Sequence, residues 1–369
     1  MRVLRIDERS PYRRLIGIGG IGSGIFFELE GSHTLGRNES RPGRLLDVRD
    51  YCKLHIIIHY VAKLLGAHSA GSPFHVVPVG RIGSDAPGRQ VLKEMTEAGI
   101  DIAKVITSSD RPTLFSVCFQ YPDGSGGNIT TNNSAAAALH AHDIDAAADL
   151  FRSDGKRTIA LAAPEVGLEA RHYFLRCATD AGAFRAASFV AAEIAAAKTA
   201  GMFSLLDLVS LNEEEASELI GEEFSLSDPE SFLASCQSLL RSAHPRLKLV
   251  VSVGKHGAYG ITCTEWRHSP AIEVKVASTA GAGDSLLGGI IAAVAAGLPF
   301  LPAQPAHEAP SRMVGSALEL GVLLASYKCR SPHTIHPAAD LDSLLMFAQS
   351  AGCVVAPQME QFVVEKRGW

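Results

Sequence analysis

The sequence predicts an α/β fold: a mostly parallel sheet covered by helices on both faces. Three observations carry this. Strand-like and helix-like periodicities alternate along most of the 369 residues. Several apolar strands run directly into Gly-rich turns, as they do where parallel strands end at a ligand crevice. The segment after Asp284 (Leu286, Leu287, Ile290, Ile291, Ala293, Val294) has the spacing of a helix buried all round.

In chain order, Arg14-Leu15-Ile16-Gly17-Ile18 reads as the first strand and residues 25–30 as a second, followed by a Gly, Ser and Arg-rich loop to Arg44. Residues 50–65 have helical periodicity. Residues 74–80 are strand-like, and a helix over 88–99 ends at the stop signal Gly99. Residues 113–121 and 128–131 flank the turn Pro122-Asp123-Gly124-Ser125-Gly126-Gly127 and predict a hairpin. The alternation resumes with strands expected at 158–162, 205–211, 248–253 and 272–276. A Pro- and Ala-rich stretch, 302–310, reads as an exposed loop. No repeat or interdomain linker interrupts the chain, so residues 1–369 are expected to form one domain.

Net charge is −5 with pI near 6.3, and no basic stripe is present, which sets nucleic acid aside. The seven cysteines are scattered without a CxxC pair, which suits reduced thiols and a cytoplasmic location. A charged N-terminus does not resemble a signal peptide. The apolar run 286–301 is short of the ~20 residues that a membrane helix needs, so no membrane association is expected.

The stretch Ser278-Thr279-Ala280-Gly281-Ala282-Gly283-Asp284 joins a small-residue turn to a helix start. Gly281 and Gly283 leave room for backbone N–H groups to face an anion at a helix N-terminus. Asp284 then stands where it could accept a proton from a hydroxyl attacking a bound phosphoryl group, or merely cap the helix. Asn212 and Glu215, at the end of an apolar strand, fit either a capping box or a hydrated Mg²⁺ site beside nucleotide phosphates. Ser252-Val253-Gly254-Lys255-His256-Gly257 could admit a nucleotide or only turn the chain. It is no Walker A loop, because the earlier Gly and the following Ser or Thr are missing.

Three other patterns lack their context. Gly17-x-Gly19-x-x-Gly22 matches a dinucleotide fingerprint, but a strand-like segment follows and no acid stands at the end of a second strand about 20 residues on. His55 and His59 have the spacing of a metal pair without the Glu of a zinc protease, and no serine sits in a Gly-x-Ser-x-Gly elbow.

Together the segments resemble the ribokinase-like family, the phosphofructokinase-B type carbohydrate and nucleoside kinases. Gly83-Ser84-Asp85-Ala86-Pro87-Gly88 is similar to its Gly-x-Asp-x-x-Gly region, Asn212-x-x-Glu215 to its Mg²⁺ and phosphate segment, and Ser252-x-Gly254-x-x-Gly257 to its nucleotide turn. Gly281-Ala282-Gly283-Asp284 is similar to its most specific signature. The resemblance implies a three-layer αβα sandwich with a small β-sheet lid built from about 22–47 and 112–132. It implies ATP over Asn212, Ser252, Gly254, Gly257 and Thr279, and Mg²⁺ held through water by Glu215. An anion hole of Gly281, Ala282 and Gly283 and a general base, Asp284, acting on a primary hydroxyl of a sugar, sugar phosphate or nucleoside, complete the implied site.

Departures fall on the acceptor side. Ser278 stands where the family has Asp, which removes support for a monovalent-cation site. Cys52-Lys53 replaces a Gly-Gly hinge, Ile57 an Asn, and Gly24 an acidic sugar-binding residue. A catalytically silent nucleotide-binding protein of the same fold is the competing expectation, and a homodimer through exposed lid edges is a further one.

Overall fold

The computed structural model describes residues 1–70, 73–123, 126–303 and 313–365. The elements in order are β1 (Arg2–Leu4), β2 (Arg14–Ile18), β3 (Gly22–Leu29), β4 (Gly43–Tyr51), α1 (Lys53–Leu65), β5 (His75–Gly83), α2 (Ala86–Glu97), β6 (Val105–Ser108), β7 (Leu114–Gln120) and β8 (Gly126–Thr130). Then come α3 (Ala141–Asp145), α4 (Ala148–Asp154), β9 (Thr158–Ala162), α5 (Leu168–Asp180), β10 (Phe184–Ser188), α6 (Ala191–Thr199), β11 (Leu208–Asn212), α7 (Glu213–Ile220), α8 (Pro229–Ala243) and β12 (Lys248–Ser252). The chain finishes with β13 (Ala258–Ile261), β14 (Trp266–Ser269), α9 (Ala282–Ala296), β15 (Met313–Val314), α10 (Ala317–Lys328), α11 (Leu341–Ser350), β16 (Val354–Val355), α12 (Pro357–Glu360) and β17 (Val363–Glu365).

Among the described residues, nine strands form the main sheet in the order β14-β13-β12-β11-β10-β9-β2-β5-β6. Its seven strands from β12 to β6 are parallel, and β13 and β14 add an antiparallel edge. Successive strand residues feed opposite cores, as the two-residue period of a strand requires. Leu15, Ile159, Leu161, Leu208 and Val250 pack with α1, α9, α10 and α11. Ile16, Ala160, Ala162, Val209 and Val251 pack with α5, α6, α7 and α8. This is the three-layer α/β sandwich expected from the alternation.

A second sheet of order β4-β3-β7-β8 stands apart, with β3 parallel to β7 and both outer pairs antiparallel. The expected hairpin is β7–β8; positions 124 and 125 of its turn lie outside the described residues, as does the stretch 302–310 from residue 304 on.

Two expectations are corrected. The helix expected from Asp50 begins at Lys53, and the loop expected up to Arg44 gives way to β4 from Gly43. Asp50 is drawn into the sheet by its pairing with Gly24, while the Ser116 hydroxyl and Cys118 thiol donate to its carboxylate at 2.8 and 3.0 Å. Nor do residues 272–276 form a strand. Their alternation comes from packing on α10: Ile272 is buried in the first core and its N–H donates to Ser326 Oγ at 3.1 Å, while the edge of the sheet is β14 instead.

Candidate functional site

Parallel strands carry their chain reversals to one end, and the sequence-predicted residues collect there. In the β11–β12 ladder Asn212 lies directly opposite Ser252, so both segments leave the sheet side by side. Asn212 caps α7 reciprocally: its Oδ1 accepts from Glu215 N–H at 2.7 Å, and its own N–H donates to Glu215 Oε2 at 2.9 Å. The capping box is therefore formed, and the second Glu215 oxygen has no partner among the described residues. Burial raises the Glu215 carboxyl above its usual range.

Ser252 Oγ makes a long contact, 3.4 Å, with the Leu211 carbonyl. Beyond it, Gly254 turns with φ of +54° and Gly257 with +99°. A side chain at Gly257 would put its Cβ 2.1 Å from the Ser269 carbonyl oxygen, so only glycine lets β12 return as β13 along this path. Beside this turn is a cavity of about 500 Å³ lined by Phe224, Leu226, Val253, Gly254, Lys255 and His256, among others.

Gly281 precedes α9 in the left-handed region (φ +78°) and offers no side-chain cap. The Ala282 N–H donates to the Thr279 carbonyl at 3.0 Å, so of the three expected anion-hole amides this one already has an acceptor. Gly283 faces open space, with nothing near the position a Cβ would take. Thr279 itself is exposed. Asp284 follows in the first turn of α9, 8% exposed.

Two lysines act on the Asp284 carboxylate. Lys53, at the first position of α1, brings Nζ to 3.8 Å from Asp284 Oδ2. Burial raises the Asp284 carboxyl, and the charges of Lys53 and Lys328 pull it back down. The same pairing raises the Lys53 ammonium against its desolvation. Lys328 is fully buried, donates to the Ser278 carbonyl at 3.0 Å, and is pushed down to about 8 by burial.

Two acids missed in the sequence complete the cluster. Glu165 holds a positive φ of +73°, unusual for a residue with a Cβ, and its carboxylate accepts the Lys53 backbone N–H at 3.1 Å. Burial pushes that carboxyl up to about 7. Asp50 stands over Gly24, where a Cβ would meet its Oδ2 at 3.0 Å. Asp50 thus puts a carboxylate beside position 24 from across the β3–β4 ladder. Lys53 and Asp50 fall on motifless segments, and only the unusual Cys52-Lys53 pair marked the former.

This arrangement, a Gly-rich turn at a helix start with a buried carboxylate at the carboxyl ends of a parallel sheet, defines the class of ribokinase-like α/β proteins. The family model described as "pfkB family carbohydrate kinase" matches residues 59–340, and the chain belongs to that family. It is 40% identical over 96 residues to the uncharacterized sugar kinase YegV of Escherichia coli, covering 26% of this chain and 28% of that protein. The curated relatives matched are spanned over less than half of their own length. Two of the solved structures that share the fold are ribokinases. Ribokinase from Cryptococcus neoformans in complex with ADP superposes with a TM-score of 0.69 at 17% identity, covering 90% of this chain and 99% of that one. Arabidopsis thaliana ribokinase complexed with ribose and ATP gives 0.64 at 19% identity, covering 91% and 98%. Among the described residues no helix is long and apolar enough to cross a membrane.

Proposed function

We propose that this protein transfers the γ-phosphoryl group of ATP to a primary hydroxyl of a sugar, sugar phosphate or nucleoside. The observation that carries the reading is Asp284, a buried carboxylate in the first turn of α9 behind an uncapped left-handed Gly281. Free amides at that helix start favour the charge of a transferring phosphoryl group, and the carboxylate beside them can take the proton of the attacking hydroxyl. The Gly281 and Gly283 amides would serve this end; the Ala282 amide joins only if its bond to Thr279 opens.

ATP would lie across Asn212, Ser252, Gly254, Gly257 and Thr279, with its base in the cavity beside Gly254. Glu215 fits a hydrated Mg²⁺: it is a desolvated carboxylate with one uncommitted oxygen, and no group of three His, Cys, Asp or Glu among the described residues would hold the ion alone. When bound with the nucleotide, that ion supplies charge neutralisation on the phosphates. The Lys53 charge opposes the burial that raises the Asp284 carboxyl and so favours the ionised form that can accept a proton. Asp50 and Glu165 offer oxygens for acceptor hydroxyls, and the second sheet acts as a lid whose closure keeps water from the phosphoryl group.

The test is ADP release from Mg·ATP across a panel of pentoses, hexoses, sugar phosphates and nucleosides, with Asp284→Asn alongside. Acceptor-dependent turnover that the variant loses by about 10²-fold or more supports the reading, a general base being worth typically 10²–10⁴. Nucleotide binding without turnover on any acceptor would favour a silent binding protein instead.

A further inference from the structure

On the far side of α1 from Asp284 lies a cavity of about 360 Å³, at the joint where β4 meets α1, α2 and the loop after α10. His55 and His59 line it. His55 is 0% exposed, and neither of its ring nitrogens has a hydrogen-bond partner; His59 Nδ1 is likewise buried and unpartnered. A neutral imidazole left so costs about 1–3 kcal/mol per orphaned group, so the pair calls for a ligand. Both rings are neutral at pH 7, because burial lowers His55 well below its usual value and takes His59 to about 3. Each therefore offers one donor and one acceptor, which matches hydroxyl groups.

The charges on the walls are unequal in what they leave free. Glu94 is bonded to the Tyr51 hydroxyl and accepts from Gln90 at 2.6 Å, and Glu97 stands 3.8 Å from Lys93. His333 is tied through Nδ1 to Asp47 at 2.6 Å. The Arg49 and Lys63 side chains line the same cavity and have no hydrogen-bond or ion-pair partner among the described residues. A metal is poorly matched, since the two histidines find no third ligand among the described residues.

We propose that this cavity is a second ligand site, taking a small hydroxylated organic anion, with its charge between Arg49 and Lys63 and a hydroxyl on the partly exposed His59 ring, against which the fully buried His55 packs. The site shares its walls with the root of the second sheet and with the loop behind the Gly281 turn. Tyr51 N–H donates to Thr334 Oγ1 at 3.1 Å, and the Thr334 carbonyl lies 2.8 Å from where a Cβ on Gly281 would stand. A bound anion would brace the root of β4 against the loop that backs the Gly281 turn. The inference does not depend on the proposed reaction.

The experiment titrates the full chain, saturated with a non-hydrolysable Mg·ATP analogue, with citrate and separately with glucose 6-phosphate. Binding is read by calorimetry and by long-range ¹H–¹⁵N spectra of the imidazoles, with His59→Gln to assign its signals. A saturable isotherm below about 1 mM for either probe, moving the His55 and His59 signals and weakened at least tenfold in Arg49→Met/Lys63→Met, supports the site; the probe that binds distinguishes carboxylate from phosphate. Arg49 and Lys63 are surface residues, and the wild-type spectra report independently of the variant. Imidazole signals that neither probe moves, or binding unchanged in the double variant, would overturn it. Movement on adding Zn²⁺ alone would also overturn it, in favour of a metal pair.

Discussion

Replacing Lys53 by Met removes the cation nearest Asp284 while keeping most of the side-chain volume. At the observed 3.8 Å, two unit charges attract by about 4 kcal/mol at an effective dielectric of ~20. That equals about three pKa units as an upper bound. Water entering the vacated space and the remaining charge of Lys328 reduce it, so a rise of about 1–3 units is expected. Burial already holds the Asp284 carboxyl above its ordinary value. The acid limb of kcat/KM is therefore expected to move to higher pH by that amount, with activity recovering as pH rises past the new limb. Coupled ADP release from pH 5 to 9.5, on whichever acceptor the panel identifies, measures the shift; Lys53→Arg restores the original limb. Glu165 and Glu215 also feel Lys53, so the Glu165→Gln profile is measured in parallel to assign the moving group. A loss of equal size at every pH would refute the argument, because it would mean that Lys53 acts on binding or packing and not on the charge of Asp284. An unmoved profile would refute it equally.

Two further outcomes follow from the same cluster and its supporting turns. Lys328 titrates near 8 in the folded chain against about 10.4 unfolded, so the unfolded state binds more protons between those values; wild-type stability relative to Lys328→Met is expected to rise with pH across about 8–10.4, by roughly 3 kcal/mol in all, and urea titrations showing a constant difference would contradict this. Gly257→Ala is expected to lower stability by at least about 1–3 kcal/mol, since its φ of +99° and the 2.1 Å approach to Ser269 leave no room for a Cβ, whereas Gly283→Ala, facing open space, leaves the urea midpoint nearly unchanged; equal effects of the two would show that the turn relaxes freely.

Much of the fold was legible because burial enforces periodicity. The strands at 14–18, 158–162, 208–212 and 248–252 and the all-buried α9 announce themselves by apolar runs that only a covered parallel sheet or a central helix would tolerate. The two misreadings share a cause. Asp50 and Tyr51 continue the helical pattern of α1, and residues 272–276 alternate like a strand, yet hydrogen-bond partners distant in sequence decide both: Ser116 and Cys118 for the first, Ser326 for the second. In the candidate site, Gly281, Gly283 and Asp284 were readable as a local device, a turn feeding a helix. Lys53, Glu165, Lys328 and Asp50 were not, because each becomes chemically meaningful only through a neighbour brought in by the tertiary fold. Gly24 shows the point most directly: the carboxylate beside it comes from the adjacent strand.

The two-stranded sheet of β1 and β17 pairs Arg2, Val3 and Leu4 with Glu365, Val364 and Val363. These partners lie far apart in sequence, so β1 can be paired only after all the chain between the two strands has been made. Leu4, which ends at 0% exposure in the first core, is therefore made well before the strand that pairs with it. The clasp thus holds two sequence-distant segments in one seam: without β17, the β1 edge beside Leu4 would stand unpaired, an open strand edge of the kind that invites pairing with another chain.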